Sequence, residues 1–337
     1  MEMKVFLKKL IGILFALLIC LAGCNYFFDK TGILNPDFST YRCEPTQSYI
    51  KTRYICENPD NYNAFCFGSS RVGNIDLSKI NNGYVYYNMT YSEGLPQEWL
   101  EDIELFLKHG VCIKQVILGL DDFSFRVNPQ THYSQELRLR YTDEFSFEKM
   151  ASLLFKQPSF SGYKETEKSG SIFDIYRTGR VIHEYPDRVI ESNVEQHIND
   201  VKFRLPKHYE GDRISETIDT VEKISKICSD NDIELIVFFN PIHKITYYDT
   251  DFSEFLAFKK ELAQVLPYYD FAWMNSITTD NYYYYETSHY RPIVGDMIIK
   301  NIFSVNEIDK DIVRYVDKSN IEEHLIFLEK NRTLYEK

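Results

Sequence analysis

Apolar positions along this chain alternate between short unbroken runs and longer stretches at helical spacing. The runs cover 62–67, 84–87, 113–120 (interrupted by Lys114, Gln115 and Gly119), 233–239 and 268–274. Between them, Leu100, Ile103, Leu105 and Leu107 mark a helix over 95–109, closed by Gly110. Ile214, Ile218, Val221, Ile224 and Cys228 mark a second, and Phe255, Phe258, Leu262 and Val265 a third. Pro292 opens a fourth through Met297, Ile298 and Ile302. Strands apolar on both faces, separated by helices, predict an α/β fold, a three-layer αβα arrangement with a mainly parallel central sheet. The α/β domain spans 61–306. It is preceded by a turn-rich linker over 29–60 and followed by a charged helical appendage over 307–337. The rhythm breaks at about 156–209, where Pro158, Gly162, Gly170, Gly179 and Pro186 fall, and this stretch reads as an inserted lobe or lid.

The N-terminal segment, 1–28, has a separate pattern. Lys4, Lys8 and Lys9 precede an apolar run from Leu10 to Gly23 that continues through Phe28. The lysine bias places the N-terminus on the cytoplasmic side. Leu21-Ala22-Gly23-Cys24 resembles a bacterial lipobox, which would leave Cys24 for lipid attachment. An uncleaved signal anchor is the alternative, since the run approaches the ~20 residues that a span needs; a cleaved secretion signal is a third. The first two tie the remaining chain to a cell membrane, with its ectodomain outside the cytoplasm.

Composition narrows the partners. The formal net charge is −12 and no basic run occurs beyond the first residues, which disfavours nucleic acid. The 26 Tyr and 24 Phe suit sugar or peptide contacts as well as burial, and burial is their commoner use. Of seven cysteines, Cys20 and Cys24 lie in the leader. The other five are odd in number and include no C-x-x-C pair, which speaks against a disulfide scaffold and a zinc site. Cys43 and Cys56 flank a short polar stretch and could pair; Cys66 and Cys112 read as core residues. Nothing calls for a metal or cofactor.

In an open parallel sheet, ligands bind beyond the carboxyl ends of the strands. The polar residues at those ends are Ser69, Ser70 and Arg71, then Asn88, then Asp121 and Asp122, then Asn240 and His243. The last connection carries Glu286-Thr287-Ser288-His289. A serine hydroxyl becomes nucleophilic when a base takes its proton and a third group orients that base. Ser70, His289 and Glu286 form such a set. Ser69 and Ser70 could instead cap the following helix, and His289 could be an ordinary loop residue. His243 could cap a strand end, although its position favours substrate contact. Arg71 suits a substrate carboxylate or phosphate, or solvent. Asn88-Met89-Thr90 fits a glycosylation sequon, which a buried strand end would silence.

Phe67-Gly68-Ser69-Ser70 resembles the first block of SGNH (GDSL-like) hydrolases, with Ser69 where the family commonly has Asp. Glu286-x-x-His289 resembles the family's Asp-x-x-His block. The phrase from Ser288 through Pro292, with Gly295-Asp296, resembles an envelope-anchored bacterial subset associated with polysaccharide O-acylation. The resemblance covers about 62–303. It implies an SGNH or flavodoxin-like fold and a Ser70-His289-Glu286 triad. Oxyanion donors would come from Ser70, Gly94 and the position of Asp121, where the family has Asn, and Asn88 could replace that donor. Apart from the resemblance, position at the strand ends makes His243, Arg71 and Asn240 candidates for substrate contact. The implied function is an acyl (acetyl) transferase or carbohydrate esterase. Its partners would be an envelope glycan, an acyl donor and a membrane-bound acyl-transfer protein, with the 156–209 insertion excluding water. Loss of the oxyanion Asn and Glu in place of Asp leave a second reading, a non-catalytic glycan-binding or assembly protein. Lipase-like action has little support, because the insertion is not an apolar lid.

Overall fold

Each unbroken apolar run becomes a strand of one sheet. In chain order the elements are α1 (Glu2–Phe27), α2 (Gln47–Glu57), β1 (Ala64–Gly68), β2 (Tyr86–Asn88), α3 (Pro96–Lys108), β3 (Gln115–Leu120) and α4 (Phe147–Leu154). There follow β4 (Ile172–Phe173), β5 (Val181–Ile182), α5 (Glu184–Ser192), α6 (Val194–Ile198), α7 (Ile214–Asp230) and β6 (Glu234–Phe239). The chain ends with α8 (Lys244–Asp249), α9 (Phe252–Val265), β7 (Tyr268–Asp270), α10 (Pro292–Phe303), β8 (Arg314–Val316) and α11 (Ile321–Tyr335). The structure, a computed structural model, describes residues 2–37, 43–131, 137–144, 146–160, 171–304 and 308–335.

The sheet order is β2-β1-β3-β6-β7-β8. The first five strands are parallel and β8 runs antiparallel to β7. Side chains alternate across the sheet as strand geometry requires. Phe65, Phe67, Val116, Leu118, Leu120 and Phe239 enter one core with residues of α3, α7 and α9. Cys66, Ile117 and Phe238 point the other way, against α10 and the turns that follow β1. Helices on both faces give the three-layer α/β arrangement. β1 lies between β2 and β3, so the chain direction across the sheet reverses there, which opens a crevice at the carboxyl ends of β1 and β3.

That crevice is shaped by close approaches. Gly68 and Gly119 sit side by side in register, and a Cβ on either would lie 2.5 Å from Cγ1 of Val72. Their bareness lets the turn after β1 fold down over the sheet end. On the outer side, Gly295 of α10 packs on the same turn, where a Cβ would come within 2.5 Å of the Asn74 carbonyl oxygen. Gly295→Ala is expected to push α10 off this turn. Overpacking costs about 1–3 kcal/mol, offset by about 1 kcal/mol of helix propensity. A melting temperature lower by a few degrees, measured by circular dichroism, is the expected result.

Segments that read as peripheral are built into the core. The 29–60 stretch, read as a linker, contains α2, whose Ile50 and Ile55 are buried. Its signal was hidden because Gln47, Ser48, Lys51 and Thr52 are buried too. The Lys51 ammonium donates to the carbonyls of Thr90 and Gly179, both at 2.5 Å. The 307–337 stretch, read as an appendage, supplies the edge strand β8 and α11. From α11, His324 reaches Asp270 Oδ2 at 2.7 Å, and Lys259 meets the same oxygen at 2.6 Å. Burial pushes the Asp270 carboxyl up, but these two partners hold it below the usual carboxylate range. Cys66 is buried as expected, whereas Cys112 is exposed. Cys112 falls on the outward position of an alternating stretch in which Val111 and Ile113 face the core. Cys56 is buried on α2 and no disulfide joins it to Cys43.

Of the insertion over 156–209, residues 161–170 lie outside the described set. The described part is a short β4–β5 hairpin followed by α5 and α6. It returns to the core through Phe203, while His197 bonds the Tyr284 carbonyl at 2.8 Å.

Candidate active site

Ser70 stands on the first residue after a capped strand end. β1 finishes at Gly68, and the Ser69 hydroxyl accepts from the Arg71 amide at 3.3 Å, capping a one-turn 3₁₀ segment over Ser70–Asn74. The Ser69 carbonyl accepts from Thr90 Oγ1 at 2.7 Å and from the Val72 amide at 3.1 Å. Ser69 therefore fixes the turn while Ser70, half-buried, faces the crevice. The Ser70 amide lies in the first turn of the segment, where backbone N–H groups have no intrahelical acceptor.

The base arrives on a closed loop. Tyr284 and Tyr290 form an antiparallel bridge, and the Tyr285 amide donates to the His289 carbonyl at 2.8 Å. Within this loop the Glu286 carboxylate accepts from the backbone amides of Ser288 (2.8 Å) and His289 (2.9 Å) and from His289 Nδ1. Because Nδ1 donates to a carboxylate, Nε2 carries the lone pair, and Ser70 Oγ lies 2.7 Å from it. Burial would raise the Glu286 carboxyl, yet its bonds to the imidazole and to the two amides hold it below the usual range. The extra methylene of Glu is accommodated by this backbone grip. Ser70, His289 and Glu286, separated by up to 219 positions, thus form one hydrogen-bonded chain.

Arg71 borders a small pocket beside Ser70 and His289 and is held from behind by carboxylates. Its guanidinium is 1% exposed. It donates to Asp121 Oδ1 (2.7 Å), Asp122 Oδ1 (2.8 Å) and the Ser288 carbonyl (2.8 Å). One side chain thereby links the ends of β1 and β3 to the histidine loop. Asn240 also works from behind: its amide donates to Asp121 Oδ1 at 3.1 Å, and its oxygen accepts from the Tyr290 hydroxyl at 2.9 Å. Thr246 Oγ1 adds a bond to the Thr287 carbonyl at 2.8 Å. The role of Thr246 was not visible beforehand, because a buried hydroxyl carries no spacing signal.

The oxyanion candidates other than Ser70 are committed elsewhere. The Asn88 amide donates to the Val72 carbonyl at 2.8 Å and its oxygen accepts from the Thr90 amide, so it supports the Ser70 turn. At 1% exposure it is also closed to glycosylation. The Gly94 amide donates to the Tyr91 carbonyl at 3.3 Å. The Asp121 carboxyl is fully buried, raised by that burial despite Arg71.

His243 is a structural cap. Its Nδ1 accepts from the Ile245 amide at 3.3 Å at the start of α8, so Nε2 bears the hydrogen and donates to Asn281 Oδ1 at 2.9 Å. The cap reading, not substrate contact, describes it. Burial lowers this imidazole to about 4, with Asn281 opposing. An unfolded histidine protonates near 6.5, so acid favours the unfolded chain. The contribution is complete above about pH 6.5 and lost as pH falls to about 4, on the order of 3 kcal/mol. In His243→Asn, which retains a capping side chain, the melting temperature is expected to fall less steeply between those pH values than in the wild type.

The triad opens onto a cleft of about 1040 Å³. Ser70, Glu286 and His289 form its floor; Phe173, Val181, His183 and Ile190 of the insertion form one wall. The wall is held in place, because Arg291, next to the histidine loop, bonds Asp187 Oδ1 at 2.7 Å and also meets Glu191. His183 was missed by the sequence reading. Its Nδ1 meets Ser171 Oγ at 2.8 Å, and its ring lies 5.2 Å from that of Tyr285. Burial, then the neighbouring His289, lowers it to about 4, so it faces the cleft uncharged. Ser70 and His289 also border a smaller pocket of about 170 Å³, lined further by Arg71, Arg138, Lys207 and Tyr209. No protein-family model matches the chain, and no curated protein is similar to it.

Proposed function

We propose that this is an extracytoplasmic serine-dependent acyltransferase or esterase of the SGNH type, anchored to a membrane by α1 and acting on envelope polysaccharide. One observation carries the reading: Ser70 Oγ lies 2.7 Å from a histidine whose other nitrogen is held by a carboxylate. His289 Nε2 takes the hydroxyl proton as Ser70 Oγ attacks the acyl carbonyl. Glu286 stabilises the imidazolium, and His289 returns the proton to the departing donor oxygen. The acyl-serine then passes to a sugar hydroxyl, or to water, by the same steps in reverse. The two cavities favour a division of substrates. The 170 Å³ pocket has room for about six water-sized groups, which suits an acetyl or similarly short acyl group. The 1040 Å³ cleft suits a glycan. α1 is 26 residues long, about 39 Å as a helix, and an apolar window within it is 0% buried. This supports the membrane anchor, and a membrane partner would deliver the donor.

A strain carrying Ser70→Ala is expected to lose O-acyl groups from its surface polysaccharide, read by proton NMR of the purified glycan. Unchanged acylation would favour the second reading, a glycan-binding or assembly protein. The commitment of Asn88, Gly94 and Asp121 to other partners speaks for that alternative.

A further inference from the structure

α1 does not end in a free tether. Asn25, 5% exposed, donates through Nδ2 to the carbonyls of Leu154 (2.8 Å) and Lys156 (2.9 Å). These carbonyls lie at the C-terminal end of α4, where a helix leaves its last acceptors open. Phe28 packs edge-on against Phe160, ring centroids 5.0 Å apart. Asp29 then folds the chain into a tight turn by accepting from the amides of Thr31, Leu34 and Asn35. The end of α1 and the end of α4 are thus one body.

That body presents aromatic rings outward. Phe27 is 72% exposed, Tyr26 44%, Phe155 45% and Phe160 55%. Tyr is enriched where a bilayer meets water, and Phe is among the residues that interfacial segments bury at the headgroup boundary. We propose that Phe155 and Phe160, together with Tyr26 and Phe27, lie in the interfacial layer of the lipid bilayer, a second membrane contact beside α1. It rests on the anchoring part of the function proposed above. The occupant follows from continuity: the apolar length of α1 is unburied, and the patch begins where α1 leaves off. Retention of α1 and lipid attachment at Cys24 both bring residues 24–28 to the bilayer surface. The contact also reaches the candidate active site. Leu153 of α4 packs with Ile33, Ile50 and Ile175, and Phe173, which lines the cleft, packs on the same cluster. Docking of α4 therefore fixes the height of the cleft wall above the membrane.

The test uses the full-length chain in phosphatidylcholine vesicles whose acyl chains are brominated near the headgroup. Phe155→Trp and Phe160→Trp are compared with Tyr26→Trp at the anchor and with Leu334→Trp, a 74% exposed site on α11. The wild-type emission of Trp99 and Trp273, both buried, is subtracted. The emission of the indole introduced at 155 or 160 is then expected to fall about twofold relative to unbrominated vesicles, as interfacial burial brings it to the bromines, with Leu334→Trp unaffected. Quenching at Tyr26→Trp alone would overturn the second contact and leave the anchor intact. Absence of quenching at Tyr26→Trp as well would overturn both.

Discussion

Replacing Ser70 by alanine is expected to reduce hydrolysis of p-nitrophenyl acetate by the purified full-length protein by at least about a thousandfold. The reason is local. Ser70 Oγ lies 2.7 Å from His289 Nε2, and without it the proposed covalent acyl-enzyme cannot form. The loss is expected to appear in kcat, because the pocket and cleft walls remain. The fold should persist, since the turn is held by Ser69, Thr90 and Asn88 rather than by the Ser70 hydroxyl. A melting temperature close to that of the wild type, alongside lost turnover, is the combined result. Retained turnover in a folded Ser70→Ala protein would remove Ser70 from the mechanism.

Arg71→Met is expected to produce the largest loss of stability. It removes the cation that neutralises Asp121 and Asp122, both of them buried. Breaking a buried pair by deleting one partner costs about 3–5 kcal/mol. The Asp121 carboxyl, which burial already raises against the pull of Arg71, would then rise further above its unfolded value. Its penalty is small in acid and grows as pH rises from about 4 towards neutrality. The gap in melting temperature between wild type and Arg71→Met should therefore narrow on acidification. Turnover should fall as well, because the Ser288 carbonyl loses the Nε hydrogen that steadies the histidine loop. Arg71→Lys should recover part of the stability and less of the turnover, since an ammonium supplies charge without the guanidinium fork. Equal stability of Arg71→Met and wild type at pH 7 would show that the acidic pair is not held as described.

The central strands and their helices were legible because burial on both faces writes continuous apolar runs. Pro96 and Pro292 likewise stand at the first positions of α3 and α10, as proline's fixed φ favours. Ser70 was legible from its place after β1, and Glu286 and His289 from their place in the connection before α10; the structure brings the three within hydrogen-bond reach. Less was visible where polar groups are buried. α2 looked like a linker because Lys51, Thr52 and Ser48 bond backbone carbonyls or one another's neighbours instead of facing water. α11 looked like a charged appendage because its inward face includes His324 and Asn331, both bonded to the β7 region. The same blindness hid the partners of Arg71 and His243. Asp121, Asp122 and Asn281 bond them from within the fold, while Arg71 also borders the smaller pocket beside Ser70. His183 was missed because it lies in the insertion, far in sequence from any strand end of the main sheet.

The most direct measurement is the mass of the full-length protein after exposure to a fluorophosphonate, followed by peptide mapping of the adduct. A single phosphonyl group on Ser70, with labelling abolished in His289→Ala, is the expected result. A folded protein that takes up no phosphonyl group, or takes it up elsewhere with Ser70 unmodified, would contradict the claim that this hydroxyl is activated by the histidine beside it.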